Sequence, residues 1–384
     1  MAQAIEHNGT LKERFERVFK GDPVIWFVVF ALAIFSVLTV YSAAGTLAYK
    51  KHQGNTEYFL IKQLIFVGIS LVVMWMAHLV DYRYYSKISR FALLISVPFL
   101  LFSFFFGSKI NDASRWLTIP IINQTFQPSD LAKFALIANL ASMLAKHQSD
   151  IDDIKNALIP MLLWCGAICG LIALSNMSTA LMMFATCMLL MYIGRVPGKY
   201  LLMLGLVGIL ALSLALAFGQ RLGTFTNRIK AFTDPKVEVP FQLEQSYIAI
   251  ATGGITGKGP GNSTQRNFLP HPYSDFIFAI VLEEYGLIGG IFIVSLYLLL
   301  LYRGMLTVAN SKRAFGGLLS AGLSFLIVIQ AMINMGVAVG LGPITGLPLP
   351  LLSMGGTSLL FTGISIGIIL SVSRGEEEEE ENNQ

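Results

Sequence analysis

The chain has 384 residues, of which 54% are hydrophobic and only 13% are charged, and its formal net charge is +4. Soluble domains carry about 25% charged residues, so this composition excludes a soluble globular protein. The small, dispersed net charge also gives no reason to expect a nucleic-acid partner. Apolar runs of roughly 18 to 25 residues recur along the chain, each long enough to cross a bilayer. The sequence therefore predicts an all-α polytopic membrane protein.

The chain begins with a basic, amphipathic segment, residues 1–23, which we expect to lie on the cytoplasmic face of the membrane. About ten transmembrane helices follow within residues 24–373. The predicted spans are 24–44, 60–80, 90–107, 128–146, 157–174, 178–194, 200–218, 276–302, 316–338 and 356–373. Most Lys and Arg residues of the short loops fall on the side of the N-terminus, which predicts that both termini are cytoplasmic. The acidic tail, residues 374–384, then lies in the cytoplasm.

This arrangement leaves three polar, turn-rich segments on the extracytoplasmic face: 108–127, about 219–275 and 340–357. The second is a large loop between the seventh and eighth spans. Loops longer than about 15 residues in a compact protein are usually functional or disordered. We therefore expect function on the outer face.

The stretch 268–290 joins such a loop to an apolar helix. Pro270 and Pro272 disfavour helix before Ser274, because proline lacks an amide hydrogen and restricts the residue that precedes it. Asp275 then stands at the mouth of a membrane-spanning helix. Two interpretations stay open from local spacing: Asp275 caps the helix, or it is an acid presented to a substrate at the membrane surface.

Cations and aromatic groups accompany this acid in the other outer segments. Arg115 carries a planar guanidinium group that can donate hydrogen bonds to a phosphate. Trp116 beside it is a residue type typical of the membrane interface. Lys258 lies in a glycine-rich run, 253–262, whose main-chain amides could form an anion-binding nest. These features predict a site for an anionic ligand.

Asp130 and Lys133 open the fourth predicted span, and their spacing allows the two side chains to pair on one helix face. An unpaired charge inside a span costs about 2.5–3.5 kcal/mol on insertion scales. The alternative to pairing is that Lys133 snorkels to the outer surface. We expect a polar cavity at this position. Together, the acid, the cations and the glycine-rich run predict that a phosphate-bearing lipid binds at the outer leaflet.

Five motifs occur in a characteristic order: NDASRWL, QPSDLAK, NRIxxFxDP, GGITGKGPGNSTQRNFLPHPYSDFIFAIVLEEYGLIG and GPITGLPLPLLSMGGTS. In this order they resemble the SEDS family (shape, elongation, division and sporulation). The run Gly261-Asn262-Ser263 is more similar to the division branch than to the elongation branch. The resemblance implies a SEDS-type fold and a peptidoglycan glycosyltransferase. Such an enzyme polymerises lipid II, a polyprenyl-pyrophosphate-linked disaccharide peptide, at the outer face of the bacterial cytoplasmic (inner) membrane, here at the division septum.

The resemblance also implies roles for individual residues. The essential acid of the family falls on Asp275, which we expect to be catalytic. The residues expected to bind substrate are Arg115, Trp116, Asp130, Lys133 and Lys258, of which Lys258 is proposed from its own sequence context.

The partners implied are a class B penicillin-binding protein transpeptidase (FtsI-like) and division proteins of the FtsQ, FtsL and FtsB kind. A divalent cation, Mg²⁺ or Mn²⁺, could assist the reaction, and no organic cofactor is expected. The metal ligands stay unknown, because the sequence shows no convincing cage of oxygen ligands.

Three alternatives remain open. A lipid II flippase would suit a chain with many spans and an intramembrane lysine. An elongation-type polymerase would share the same chemistry. A scaffold that only docks division proteins would leave the constellation of polar residues on the outer face unexplained.

Overall fold

The computed structural model describes residues 20–45, 56–110, 113–119, 124–151, 153–218, 222–234, 237–270 and 272–381. Most of them are helical. The helices are α1 (Pro23–Ala43), α2 (Thr56–Leu79), α3 (Tyr85–Phe106), α4 (Pro128–Lys146), α5 (Ile159–Ser175), α6 (Met177–Ile193), α7 (Gly198–Phe218), α8 (Leu222–Thr233), α9 (Phe241–Gly253), α10 (Ile277–Asn310), α11 (Ala314–Ala338) and α12 (Gly356–Glu381). Short 3-10 turns lie at Tyr82–Tyr84 and Gln265–Asn267, and a π turn precedes α5 at Ile154–Leu158.

Seven helices in this described part are long and apolar enough to cross a membrane. They are Pro23–Ala43, Thr56–Leu79, Tyr82–Phe106, Ile154–Ser175, Ile277–Ala309, Ala314–Ala338 and Gly356–Gly375. The other three predicted spans also fold as helices, namely α4, α6 and α7. A mainly helical, multi-pass membrane protein is therefore confirmed. The predicted N-terminal segment lies, up to residue 19, outside the described residues.

The prediction of an all-α chain needs one correction, because the segment after α3 contains strands. β1 (Ser108–Ile110), β2 (Ala113–Ile119) and β3 (Gln124–Phe126) form an antiparallel sheet in the order β1-β2-β3. β1 and β3 have only three residues each, and the seven residues of β2, ASRWLTI, do not alternate strictly between polar and apolar side chains, so the sequence contains no clear strand signal. The ring of Phe126 contacts Phe99 of α3 and Phe361 of α12, so the sheet lies beside these helices.

The long segment between α7 and α10 is also more ordered than its prediction as a loop. It contains α8 and α9, followed by a glycine-rich turn, residues 253–261, and the 3-10 turn at Gln265–Asn267. The glycine-rich turn packs against α10, where that helix is interrupted.

The interruption of α10 lies at Gly286, whose φ of 65° and ψ of −165° are not helical. A broken helix frees peptide groups, and at membrane depth these must find hydrogen bonds inside the protein. The glycine-rich turn supplies them through four main-chain hydrogen bonds: Lys258 N to Glu283 O (2.9 Å), Gly259 N to Glu284 O (2.9 Å), Leu287 N to Gly254 O (3.0 Å) and Ile288 N to Ile255 O (3.2 Å). The turn and the broken helix therefore form one unit.

Side chains cannot be accommodated where these two segments meet. A Cβ atom at Gly286 would lie 2.3 Å from the carbonyl oxygen of Ile255, and one at Gly257 would lie 2.2 Å from that of Glu284. Gly286 combines this contact with a φ in the left-handed region, where residues other than glycine are strained. The contact requires glycine at both positions.

We expect Gly286→Ala to destabilise the protein by more than about 3 kcal/mol, because backbone strain of about 1–3 kcal/mol adds to a clash with main-chain atoms. Fluorescence-detected size exclusion and the thermal unfolding midpoint in detergent measure the effect. Gly261→Ala is the control for strain alone, since its φ is +81° but no atom lies within 4 Å of its added Cβ. Gly68→Ala, in open space on α2, should be tolerated. Equal stability of the Gly286 and Gly68 variants would contradict the role assigned to the break.

Candidate functional site

Asp275 lies two residues before α10, and the structure rules out its interpretation as a helix cap. The N-cap residue is Phe276, and no side chain caps this end of the helix. The Asp275 carboxylate is half-buried and accepts a hydrogen bond from Ser274 Oγ at 2.9 Å. The predicted span begins at residue 276 and the helix at Ile277, so the start was predicted to within one residue, but the turns over residues 272–276 leave Asp275 one position before the N-cap. The carboxylate is therefore not used to satisfy main-chain amides at the helix start.

The main chain around Asp275 is held by residues from distant parts of the chain. Asn334 Nδ2 of α11 donates to the carbonyl oxygen of Asp275 at 2.9 Å. Ser353 Oγ donates to the carbonyl oxygen of Ser274 at 2.7 Å, and Met354 N donates to that of Tyr273 at 2.8 Å. These bonds fix the position from which the acid projects.

The segment that supplies two of these contacts is the 343–355 loop, the larger part of the non-helical connection between α11 and α12. Gly346 of this loop lies against the acid: a Cβ atom there would be 3.6 Å from Asp275 Oδ2. Arg228 of α8 donates from Nη1 to the carbonyl oxygen of Ile344 at 3.0 Å. The basic helix α8 thus contacts the loop next to the acid.

Tyr273 precedes the acid by two residues, and its hydroxyl group is biased toward the protonated form. Burial raises the pKa of the Tyr273 phenol, and the negative charge of Asp275 raises it further. A neutral phenol is a hydrogen-bond donor as well as an acceptor. It adds no negative charge beside the carboxylate.

Asp130 and Lys133 pair as the spacing predicted. Lys133 Nζ lies 2.9 Å from Asp130 Oδ1, and both side chains are at least nine-tenths buried. The interpretation of Lys133 as a snorkelling residue is therefore wrong, because its ammonium group has partners within the protein. Beside the pair is a small cavity of about 30 Å³, which is room for about one or two water molecules. Asp130 Oδ2 has no hydrogen-bond partner, which leaves it available to such an occupant.

Two amides of α11 connect this pair to Asp275, and the sequence analysis missed both. Gln330 Oε1 accepts from Lys133 Nζ at 3.1 Å, while Gln330 Nε2 donates to the carbonyl oxygen of Pro348 at 2.9 Å. Asn334, one turn further, donates to the carbonyl oxygen of Leu347 at 2.7 Å and also holds Asp275. The available signal was two amides four residues apart in an otherwise apolar span, a pattern that places both on one helix face.

Lys258 is bound within the protein. Its Nζ lies 2.6 Å from Glu283 Oε1 and 3.1 Å from Thr264 Oγ1. Glu283 follows Asp275 by about two turns of α10, so the structure groups Lys258 with a second cluster rather than with the acid. Its role in substrate binding stays a prediction.

The anion at this second cluster is the protein's own carboxylate. Main-chain amides of Thr264 (3.0 Å) and Gln265 (3.2 Å) donate to the carboxylate of Glu283, and Ser263 Oγ donates to it as well. The neighbouring Glu284 accepts from Ser263 N at 3.2 Å and from Ser42 Oγ. The prediction placed anion-binding amides within the glycine-rich run. In the structure they lie just after that run, and they bind the carboxylate of Glu283.

Arg115 and Trp116 lie in β2, where Trp116 is half-buried and pairs with Ser108 of β1. The side chain of Arg115 falls outside the described part of the structure. The sheet leads directly to the start of α4: Gln127, between them, donates from its main-chain N to Thr357 Oγ1 of α12 at 3.3 Å. Only β3 lies between β2 and the helix that carries Asp130.

No group of three or more His, Cys, Asp or Glu side chains placed to hold a metal ion occurs among the residues that the structure describes. The ammonium group 2.9 Å from Asp130 also opposes a cation at that carboxylate. The described residues near the acid therefore do not form a dedicated divalent-cation site.

Comparison with known proteins identifies the family to which the chain belongs. A family model described as "Cell cycle protein" (FtsW, RodA, SpoVE) matches residues 22–378. A "Probable peptidoglycan glycosyltransferase FtsW" from Geobacter sp. (strain M18) is 36% identical over 369 residues, covering 93% of this chain and 98% of the relative. "Stage V sporulation protein E" from Bacillus subtilis (strain 168) is 33% identical over 362 residues, covering 92% and 98%.

Solved structures agree with this assignment. A chain from "Structural coordination of polymerization and crosslinking by a peptidoglycan synthase complex" has a TM-score of 0.73 at 25% identity, covering 93% of this chain and 98% of that one. The crystal structure of Thermus thermophilus Rod shape determining protein RodA has a TM-score of 0.68 at 25% identity, covering 93% and 97%. With a family model that spans almost the whole sequence and relatives that match end to end, the chain belongs to the FtsW/RodA/SpoVE family of cell cycle proteins, the SEDS family.

Proposed function

We propose that the chain is a peptidoglycan glycosyltransferase that polymerises lipid II into glycan strands during cell division. The observation that carries the proposal is Asp275: a half-exposed carboxylate whose main chain is held by α11 and by the 343–355 loop. Such an acid is positioned before a substrate arrives, as general-base catalysis requires. The printed names of the relatives, which include FtsW, support the division role.

The proposal includes a topology. Helices α1 to α7 and α10 to α12 correspond to the ten predicted spans, with both termini cytoplasmic. The segment with α8, α9 and the glycine-rich turn then lies on the extracytoplasmic side of the membrane, as does Asp275. This orientation follows from the distribution of Lys and Arg in the short loops. It presents the acid to a lipid-linked substrate in the outer leaflet.

In the proposed reaction, Asp275 removes the proton from the 4-hydroxyl group of the acceptor sugar. The hydroxyl oxygen forms the new bond to the anomeric carbon of the donor glycan. The bond from that carbon to the polyprenyl pyrophosphate breaks, and the pyrophosphate leaves with the electron pair. A carboxylate beside an oxocarbenium-like centre has a direct analogue in glycosidases.

The cations stabilise the charge that develops on the leaving pyrophosphate. We assign this role first to Lys133, which Asp130 and Gln330 orient, and to Arg115 on β2. Trp116 packs beside the lipid or sugar portion of the substrate. Lys258 contributes less in this scheme, because the structure groups it with Glu283 and Thr264 rather than with Asp275.

A divalent cation, Mg²⁺ or Mn²⁺, would be brought by the pyrophosphate. Mg²⁺ often binds through substrate phosphates with few protein ligands, which agrees with the lack of a carboxylate cluster among the described residues. No step of the proposed proton transfer depends on it.

The proposed partner is a class B penicillin-binding protein of the FtsI type, together with FtsQ-, FtsL- and FtsB-like division proteins at the septum. One solved relative comes from a peptidoglycan synthase complex, which supports a partner that crosslinks the product. The elongation-type polymerase is the nearest alternative, because the matching family also contains RodA.

We expect Asp275→Asn to abolish polymerisation while the protein stays folded, because asparagine keeps the shape but cannot accept the proton. Purified protein is incubated with fluorescent lipid II and the candidate transpeptidase, and products are resolved on a gel. Asp150→Asn is the matched control: this exposed acid also accepts a hydrogen bond from the preceding serine, Ser149 Oγ, at 3.3 Å.

A product ladder from Asp275→Asn equal to that of the wild type would refute the role of this acid. No ladder from the wild type, combined with movement of lipid II across liposomes, would instead identify a flippase.

We expect Lys133→Met to destabilise the protein by about 3–5 kcal/mol, because it leaves Asp130 as an unpaired buried charge. The double variant Asp130→Asn/Lys133→Met should recover most of that stability but not polymerisation. Thermal unfolding and the gel assay separate the two effects. Full activity of the stable double variant would contradict the assignment of Lys133 to the substrate pyrophosphate.

We expect a chelator to lower polymerisation without lowering the thermal unfolding midpoint, because the cation accompanies the substrate rather than the fold. The midpoint is measured with and without chelator in the absence of lipid II. A drop in the midpoint of the substrate-free protein would point to a resident metal ion instead.

A further inference from the structure

We propose that Asn334 is a positioning residue that sets where Asp275 projects, by clamping its peptide group to the 343–355 loop. This inference rests on the proposed function, since it concerns the acid of that reaction. Both hydrogen bonds that the Asn334 side chain donates go to main-chain carbonyl oxygens, so we assign it an action through Asp275 rather than on the substrate.

The clamp uses both hydrogens of one amide group. Asn334 Nδ2 donates to the carbonyl oxygen of Asp275 at 2.9 Å and to that of Leu347 at 2.7 Å. These two acceptors lie 59 and 13 residues away along the chain. A single amide therefore joins the segment before α10 to the loop before α12.

The clamp is built into the protein interior. Asn334 is 2% exposed, and it lies on α11, a helix buried over most of its length. Its Oδ1 atom has no hydrogen-bond partner, so one polar atom of the side chain is buried and unsatisfied. An unsatisfied buried acceptor costs about 1–3 kcal/mol, which an apolar residue would avoid. An apolar residue would also leave the carbonyl oxygens of Asp275 and Leu347 without this donor, so the amide both satisfies these oxygens and fixes their positions.

The clamped segments are the two that border the acid. Gly346, next to Leu347, lies against the Asp275 carboxylate. Without the clamp, Ser353 and Met354 still bond to the residues before the acid, but the carbonyl of Asp275 itself loses its donor and can turn, which changes the direction of the carboxylate. Catalysis is sensitive to such changes, since a misplacement of about 1 Å can cost roughly 100-fold in rate.

Gln330 is a useful comparison for Asn334, because it bonds to the same loop but not to Asp275. Its Nε2 donates to the carbonyl oxygen of Pro348, and its Oε1 accepts from Lys133. Truncating Gln330 removes a similar support from the loop but disturbs the cation rather than the acid. The two amides should therefore affect different kinetic constants.

The test uses Asn334→Asp, which keeps the shape but replaces the donor by a carboxylate facing two carbonyl oxygens. We expect kcat for lipid II polymerisation to fall roughly 10- to 100-fold while KM stays within about twofold. Gln330→Met should instead raise KM. Tyr85→Phe is the stability control, since it removes one buried hydrogen bond, from Tyr85 Oη to the carbonyl oxygen of Ala77, away from the site.

A second readout does not depend on activity. In the Asp275→Cys variant, the rate at which a maleimide labels the thiol reports the position of residue 275, because Cys165, Cys169 and Cys187 are buried. Adding Asn334→Asp should change that rate at least threefold, whereas adding Tyr85→Phe should not.

The outcomes separate the two proposals. An unchanged labelling rate, or a loss of activity that only follows the loss of folded protein, overturns the clamp and leaves the polymerase intact. A labelling rate of Asp275→Cys that changes on adding Asn334→Asp, combined with a wild-type chain that makes no glycan, supports the clamp and overturns the proposed function.

Discussion

Peptide groups that leave a helix within the protein have to find new hydrogen-bond partners, and this constraint shapes the region around Asp275. Two irregular segments raise the problem: the break in α10 at Gly286 and the 343–355 loop. In a bilayer no water is available to satisfy such groups, so protein atoms must do so. The glycine-rich turn satisfies the first segment with main-chain atoms. Gln330, Asn334 and Ser353 satisfy the second with side chains.

The two solutions have different consequences for function. Main-chain pairing at the break admits no side chain larger than hydrogen at Gly257 or Gly286, which makes that joint rigid and intolerant of substitution. Side-chain pairing at the loop depends on single amides and a hydroxyl. It holds the acid and the lysine by a few bonds, each of which can be removed by one substitution. The main-chain pairing at the break in α10 therefore supports the fold, whereas the side-chain contacts of the loop set the positions of the acid and the lysine.

The helices were predictable because apolar runs of membrane length can hardly fold otherwise, and each of the ten predicted spans matches a helix. The pairing of Asp130 with Lys133 was predictable because it is local, three residues apart on one helix. Asp275 was found by its position in a turn before an apolar helix and by the family resemblance. Its interpretation as a cap failed because local propensity does not determine the residue at which a helix starts.

The remaining features depend on contacts between residues far apart in sequence. Asn334 reaches a carbonyl group 59 residues away, and Ser353 reaches one 79 residues away. No local pattern encodes such partners. The same holds for the amides after the glycine-rich run: their anion was assigned to a ligand, whereas the chain itself supplies Glu283.

That internal carboxylate has a mechanical consequence. Because Glu283 binds both Lys258 and the amides of Thr264 and Gln265, the turn cannot separate from α10 without exposing a buried negative charge. Helix α9 ends at this turn, and Asp275 lies at the near end of the same broken helix. If a protein bound to α9 displaced it, the displacement would therefore be transmitted to Asp275 through this rigid contact rather than absorbed by a flexible loop.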